Sequence, residues 1–166
     1  MTDEELVERY RTTMQRLAAG VTVVSVRHGG TDLAMTATAV ASVSLRPPML
    51  LFSVHTDARI REALDEVDTW AVSILDGGAR VAADRLASPG RPAFGQLIGV
   101  DHTPGPLSGA ALVDQAQGWL ECRTHWVRNA GDHDVVVGEV LDATLGRTGT
   151  GALVHYLGRL RPLGDA

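Results

Sequence analysis

The sequence predicts one mainly β domain with peripheral helices (α+β), closed or nearly closed into a barrel, and three observations carry that expectation. The chain has 166 residues, 45% of them hydrophobic and 21% charged, the size and balance of a single folded domain with a sizeable core. About seven segments have the length and the alternating or continuous apolar pattern of strands. No internal repeat or low-complexity linker divides the chain, so residues 1–166 are expected to form one domain.

The elements follow in order. Thr2 and Glu5 have capping-box spacing, and Leu6, Tyr10, Met14 and Leu17 recur along one face, so residues 1–18 read as a helix ended by Ala18-Ala19-Gly20. The period then changes to two. Val21 to Val26 alternate as a strand that stops at His28-Gly29-Gly30, and Leu33 to Val40 form a second strand with two unlike faces. After the break at Pro47-Pro48, Met49 to His55 read as a continuous apolar strand. Thr56 or Asp57 is placed to cap a helix that buries Ile60, Ala63, Leu64 and Val67. Thr69 to Leu75 is a strand and Ala79 to Ala87 a short helix. Residues 88–111 carry much of the Pro and Gly and read as a long excursion, which in a compact domain is usually either functional or wrongly assigned as loop. Gly118–Val127, Asp134–Leu145 and Leu153–Leu160 close the chain as strands, the first two joined by a hairpin connection over residues 128–133.

Composition excludes several chemistries. All 15 basic residues are Arg and none is Lys, which removes Schiff-base catalysis, pyridoxal phosphate anchoring and the Lys-containing phosphate loop. A single Cys, Cys122, leaves no intramolecular disulfide and no zinc site built on two thiolates. The net charge of −5 disfavours nucleic acid. The acidic start Met1-Thr2-Asp3-Glu4-Glu5 is unlike a signal peptide, and no apolar run is long enough to cross a bilayer. The expected setting is the cytoplasm, with no membrane partner.

Gly146-Arg147-Thr148-Gly149-Thr150-Gly151 has the order G-x-x-G-x-G and links two strands, which is the reading of a plain turn rather than a dinucleotide fingerprint. Gly105 to Gly109 lacks the spacing of a nucleophile elbow. His125 and His133 with Asp132 and Asp134 could form a two-His-one-carboxylate metal site, but no H-x-x-x-H or H-x-E spacing supports it, and no metal is expected. The strand around Thr36 and Thr38 offers hydroxyls among small Ala residues, as a flat aromatic ligand requires; an exposed β-branched face is the alternative. The next segment, Ser53-Val54-His55-Thr56-Asp57-Ala58-Arg59, runs from strand into helix and offers hydroxyls, N–H groups and Arg59 to a phosphate. In a chain without Lys, Arg59 and Arg91 are the candidate phosphate cations, although an individual Arg is more often a surface charge.

In this order the blocks resemble the flavin reductase-like family, the FMN-binding split β-barrels that serve as reductase components of two-component flavin monooxygenases. Leu17 to Ser25 is similar to the family's opening helix and first strand, and Met35 to Pro48 to its flavin-binding strand and following loop. Trp119 to Arg123, Gly131-Asp132-His133 and Val137 to Val140 match its late hairpin, and Tyr156 to Arg159 its closing strand. Ala34 stands where the family often has Gly, Thr38-Ala39 where it often has a small polar residue, and Arg46 where an acidic residue is common.

The resemblance implies an NAD(P)H:flavin oxidoreductase in which hydride passes from C4 of NADH or NADPH to N5 of FMN, or of FAD, and reduced flavin is released to a partner oxygenase. It implies that Thr36, Ala37 and Thr38 meet the pyrimidine edge, and that Ser42, Ser53, Val54, His55 and Arg59 line the ribityl and phosphate end. Arg91 and Phe94 would cover the flavin, and His133 would contact the nicotinamide carboxamide with Tyr156 nearby. Without the resemblance, His133 reads as a turn residue. Such barrels pair, so a homodimer is expected. A non-catalytic flavin-binding or electron-carrying barrel is the main alternative, and an oxidase or metal-assisted hydrolase the third. NADH is favoured over NADPH because no compact Arg cluster for a 2′-phosphate is evident.

Overall fold

The computed structural model describes residues 1–88, 90, 92–146 and 150–164. Its centre is a seven-stranded antiparallel sheet built from β2 (Thr22–His28), β3 (Thr31–Ala37), β4 (Val40–Leu45), β5 (Pro48–His55), β6 (Thr69–Leu75), β9 (Ala116–Ala130) and β10 (His133–Leu145). The spatial order is β3-β2-β6-β9-β10-β5-β4, so β3 and β4, consecutive in sequence, are the two edges. The sheet therefore stays open between β3 and β4, an arrangement consistent with a split barrel. The crossover residues Thr38-Ala39 bridge the opening, and Ser53 N–H donates to Ala39 C=O at 3.0 Å.

Two smaller sheets complete the β content. β1 (Ala19–Gly20) pairs with β11 (Leu153–Tyr156), which pairs with β12 (Arg159–Pro162); β7 (His102–Pro104) pairs with β8 (Ala111–Val113). The helices are α1 (Asp3–Met14), α2 (Arg59–Ala63) and α3 (Arg80–Ala87), the last preceded by a 3-10 turn over Gly77–Ala79.

Both faces of β2 are buried, which is why its sequence shows no polar side. Val24 and Val26 enter one core with Leu33, Phe52, Val54, Trp70, Val136 and the α2 residues Ile60 and Ala63. Val21 and Val23 enter a second core with Leu75, Ala83, Leu86, Leu97 and Val113. The hydroxyls in this strand are satisfied: Thr22 Oγ1 donates to Ala37 C=O at 2.8 Å and Ser25 Oγ to Ala111 C=O at 2.7 Å. Phe52 packs edge-on against Trp70 with ring centroids 4.8 Å apart.

Several boundaries differ from the sequence expectation. The first helix ends at Met14, not 18, because the chain must turn to place Ala19 and Gly20 opposite His155 and Val154. Its capping box is as expected, but it buries no residue within the chain. The long second strand is two strands, broken at Thr38-Ala39, where the chain crosses the sheet opening; the segment after it, Ala41 to Ser44, lies within β4. Neither Thr56 nor Asp57 caps α2; Ala58 occupies that position without a side-chain bond, because Thr56 is engaged with the hairpin turn and Asp57 N–H donates to His55 Nδ1. The connection between β9 and β10 is only Gly131-Asp132, with Gly131 at φ +79°, the left-handed backbone that favours Gly in a two-residue turn. Residues 88–111 are not all loop, since β7 lies within them. The closing strand is a hairpin turning at Leu157-Gly158, and of the glycine cluster, residues 147–149 lie outside the described residues.

Candidate functional site

The tip of the β9–β10 hairpin builds the site's most polar corner. Register places His133 opposite His55 of β5, and their rings meet edge-on with centroids 5.3 Å apart. His133 Nδ1 lies 2.7 Å from Asp132 Oδ1, and this contact holds the Asp132 carboxyl below its usual range. The Asp132 carbonyl accepts from Thr56 N–H at 3.1 Å and Thr56 Oγ1 at 3.3 Å, which ties the hairpin tip to the β5–α2 connection.

One residue further, Asp134 is buried beneath this corner. It accepts from Arg61 Nε at 2.5 Å and from Asn129 Nδ2 at 3.0 Å, and the Arg61 guanidinium lowers its pKa first, the Asn129 bond second. Arg61 also reaches Asp65 at 2.7 Å. The network pins α2 to the hairpin and leaves Asp134 committed to structure. Among the described residues no group of three or more His, Cys, Asp or Glu is placed to hold a metal ion.

Three clefts converge near this corner. The largest, about 940 Å³, runs between α1 and the hairpin; Val7, Tyr10 and Met14 of α1 line one side, and Thr38, Ala39, Ser53, Asp132, His133 and His155 the other. A second, of about 380 Å³, lies along the β3 edge and is lined by Leu33, Ala34, Met35, His55, Arg59 and Gln96. His55 borders the second cleft and packs edge-on against His133, which borders the first. A third, of about 420 Å³, contains Thr36, Thr38, Arg80, Asp84, His155 and Arg159 and joins the first at Thr38 and His155.

The β3 edge has a donor pattern suited to a flat polar ligand. Ala34 N–H points away from β2 and donates to Gln96 Oε1 at 2.9 Å. Alternation along an antiparallel strand turns the Thr36 N–H to the same unpaired side. Thr36 Oγ1 is used internally, donating to Ala83 C=O at 2.7 Å.

Of the residues expected from sequence, the structure brings His133, Ser53 and Thr38 into the large cleft, His55 and Arg59 into the second, and Thr36 and Thr38 into the third. Ala37 and Val54 place their side chains in the core, at 7% and 1% exposure, which leaves their backbone groups as the part that can face a ligand. Ser42 is exposed on β4 and borders none of these clefts, because strand alternation and a register shift between Ser42 and Ser44 carry it away. Phe94 is exposed and lines a separate hollow of about 360 Å³ that shares Gln96 with the second cleft. Tyr156 is half exposed, and its neighbour His155 takes the place at the large cleft. Arg91 lies outside the described residues. Sequence reasoning missed Tyr10, Met14, Gln96 and His155. The helical stripe containing Tyr10 and Met14 was legible, but not the cleft that it overhangs.

Comparison with known proteins agrees with this geometry. Residues 14–164 match the model of the flavin reductase like domain. The chain is 42% identical over 127 residues to an NADH-dependent FAD reductase of Streptomyces globisporus, covering 75% of this chain and 69% of that one. It is 36% identical over 149 residues to the reductase component of 4-hydroxyphenylacetate 3-monooxygenase from Thermus thermophilus, covering 90% and 91%. In structure it is similar to the NADH:FAD oxidoreductase SgcE6 of Streptomyces globisporus C-1027, with a TM-score of 0.90, 34% identity, and 99% and 98% of the two chains covered. SgcE6 has also been solved in complex with NAD and FAD fragments, and that structure matches with a TM-score of 0.88 over 99% of this chain and 96% of that one. An open seven-stranded sheet, a Gly-Asp-His hairpin tip beside a deep cleft, and a family match spanning nearly all of its length together show that this chain belongs to the flavin reductase-like family.

Proposed function

We propose that this chain is an NADH-dependent flavin reductase that supplies reduced FMN or FAD to a flavin-dependent monooxygenase. The observation that carries the reading is the large cleft, where His133 stands with the small or hydroxyl residues Thr38, Ala39 and Ser53. Relatives named as NADH-dependent flavin reductases and as a monooxygenase reductase component support it.

The residues present fit a flavin. A planar ring needs a floor without bulk and edge donors, and Thr38-Ala39, Ser53 and the outward Thr36 N–H supply both. A phosphate needs cationic or N–H donors, and with no Lys in the chain Arg59 is the cation of the second cleft. Bound flavin supplies the two-electron redox chemistry, accepting hydride from the reduced nicotinamide.

The protein's work is positioning and electrostatics. The Thr36 N–H, with backbone at Ala37 and Thr38, offers dipoles to the pyrimidine edge, where negative charge grows. Backbone at Val54 and the side chains of Ser53, His55 and Arg59 hold the ribityl and phosphate end, and Phe94 lines the adjoining hollow that shares Gln96 with the second cleft. Asp132 fixes the His133 ring, leaving Nε2 to hydrogen-bond the nicotinamide carboxamide, with His155 on the same cleft.

The assembly inferred is a homodimer. A twelve-residue helix is marginal in isolation, and α1 buries nothing within its own chain; Leu6, Val7, Tyr10 and Met14 are all exposed. A second copy is the partner that covers this stripe. Light scattering should give twice the chain mass, and Leu6→Glu should shift it toward the monomer.

The enzymatic reading is tested by NADH consumption with and without added FMN. FMN-dependent turnover is expected, and His133→Ala should lower kcat/KM for NADH by roughly 10-fold or more, the cost of one lost hydrogen bond to bound substrate. A chain that binds FMN but does not oxidise NADH would be a non-catalytic flavin carrier.

A further inference from the structure

The third cleft has a charge pattern that the flavin site does not use. Arg80 at the start of α3 and Arg159 at the start of β12 converge on it with His155 and Thr38, opposed by one carboxylate, Asp84. Three other arginines are held in closer ion pairs: Arg27 with Asp32 at 2.6 Å, Arg61 with Asp134 at 2.5 Å, Arg11 with Glu8 at 3.1 Å. Arg80 meets Asp84 only at 3.8 Å with both side chains largely exposed, and Arg159 has no ion pair among the described residues.

We propose that this pocket seats the diphosphate of the nicotinamide dinucleotide. The assignment rests on the flavin reductase reading and deepens it. Thr38 and His155 border both this pocket and the large cleft that holds His133. A nicotinamide ring at His133 therefore has a cationic pocket opening directly beside it, and its diphosphate lies one ribose from the ring. Two guanidiniums and the Thr38 hydroxyl match a dianionic group. In the flavin reductase reading the flavin phosphate is held at Arg59, in the second cleft, which His55 also lines. Both sources offer phosphate, so the test separates them.

Steady-state kinetics on Arg159→Gln, Arg80→Gln and the double variant would use NADH or reduced nicotinamide riboside, which lacks phosphate, as donor, and FMN or riboflavin as acceptor. The expected result is a KM for NADH raised about 5-fold or more in each single variant and further in the double variant. kcat at saturation, the KM for reduced nicotinamide riboside and the KM for FMN should change by less than about 2-fold. Arg159→Lys should recover part of the NADH affinity, and added salt should raise the NADH KM in the wild type more than in the double variant. An unchanged NADH KM overturns the proposal. So does a parallel rise for both donors, and so does a rise in FMN KM not shared by riboflavin, which assigns the pocket to the flavin phosphate. Titration of wild type and the double variant with NAD⁺ by calorimetry reads the same pocket without turnover. If wild type fails to oxidise NADH with flavin present, the reductase reading is what has failed, while weaker NAD⁺ binding by the variant still reports the pocket.

Discussion

At the residue scale, His133 is held by its neighbours rather than by burial. Asp132 fixes one ring nitrogen and His55 packs against the ring, and the residue lines the large cleft. The Gly-Asp-His motif made this residue visible in the sequence; the contribution of His55 needed the β5–β10 register. His155 and Tyr156 show the opposite case. Both stand on one short strand, and sequence alone could not fix which of the two faces the cleft, since a one-residue shift reverses them. Asp134 is equally plain in the sequence, yet its role is structural. Its pKa is depressed in the folded state, chiefly by Arg61, so its stabilising contribution is present above the ordinary carboxylate value of about 4 and is lost as pH falls below it. Asp134→Asn should lower Tm at pH 7, and the gap to wild type should narrow in melts taken below about pH 4. Cys122 is buried, which pushes its thiol up to about 12. Native protein should resist alkylation at neutral pH, and denatured protein should react promptly.

At the element scale, the hairpins and strand pairings that frame the site are set by a few contacts. Gly138 in β10 leaves room for the Trp70 indole, and a Cβ there would collide with that ring. Gly138→Ala should therefore destabilise the fold by about 1–3 kcal/mol, read as a lower denaturant midpoint. The Gly105–Gly109 turn, conspicuous in sequence but chemically silent, is tied down by buried Glu121, which accepts from Leu107 N–H at 3.0 Å, and from Ser108 N–H and Oγ, each at 2.7 Å. Glu121→Ala strands these donors and should cost about 2 kcal/mol or more in chemical denaturation. This contact also explains why the excursion at 88–111 was only partly legible: a short strand pair anchored by a carboxylate fourteen residues away leaves no local periodic signal. The β11–β12 turn was invisible for another reason. Leu157 adopts φ +51°, a conformation that sequence reasoning assigns to Gly or Asn. By contrast, β6 and α1's capping box were read correctly because their signals are local.

At the scale of the whole molecule, the order β3-β2-β6-β9-β10-β5-β4 places two sequence neighbours at opposite edges, and the opening between them receives Thr38-Ala39. The sequence reading of a nearly closed barrel was sound as architecture, while the location of the opening depended on long-range pairing. The absence of Lys acquires a positive meaning here: every cation available for a nucleotide phosphate is an Arg, and the clefts present Arg59 on one side and Arg80 with Arg159 on the other. The uncovered stripe of α1, which overhangs the large cleft, links the proposed dimer to the site. The most direct test of the central claim is the rate of NADH oxidation by purified protein as FMN is added, with His133→Ala alongside. The expected result is saturable, FMN-dependent oxidation that falls roughly 10-fold or more in kcat/KM for NADH in the variant while the KM for FMN holds. NADH oxidation that FMN does not accelerate, or a variant as active as wild type, would contradict it.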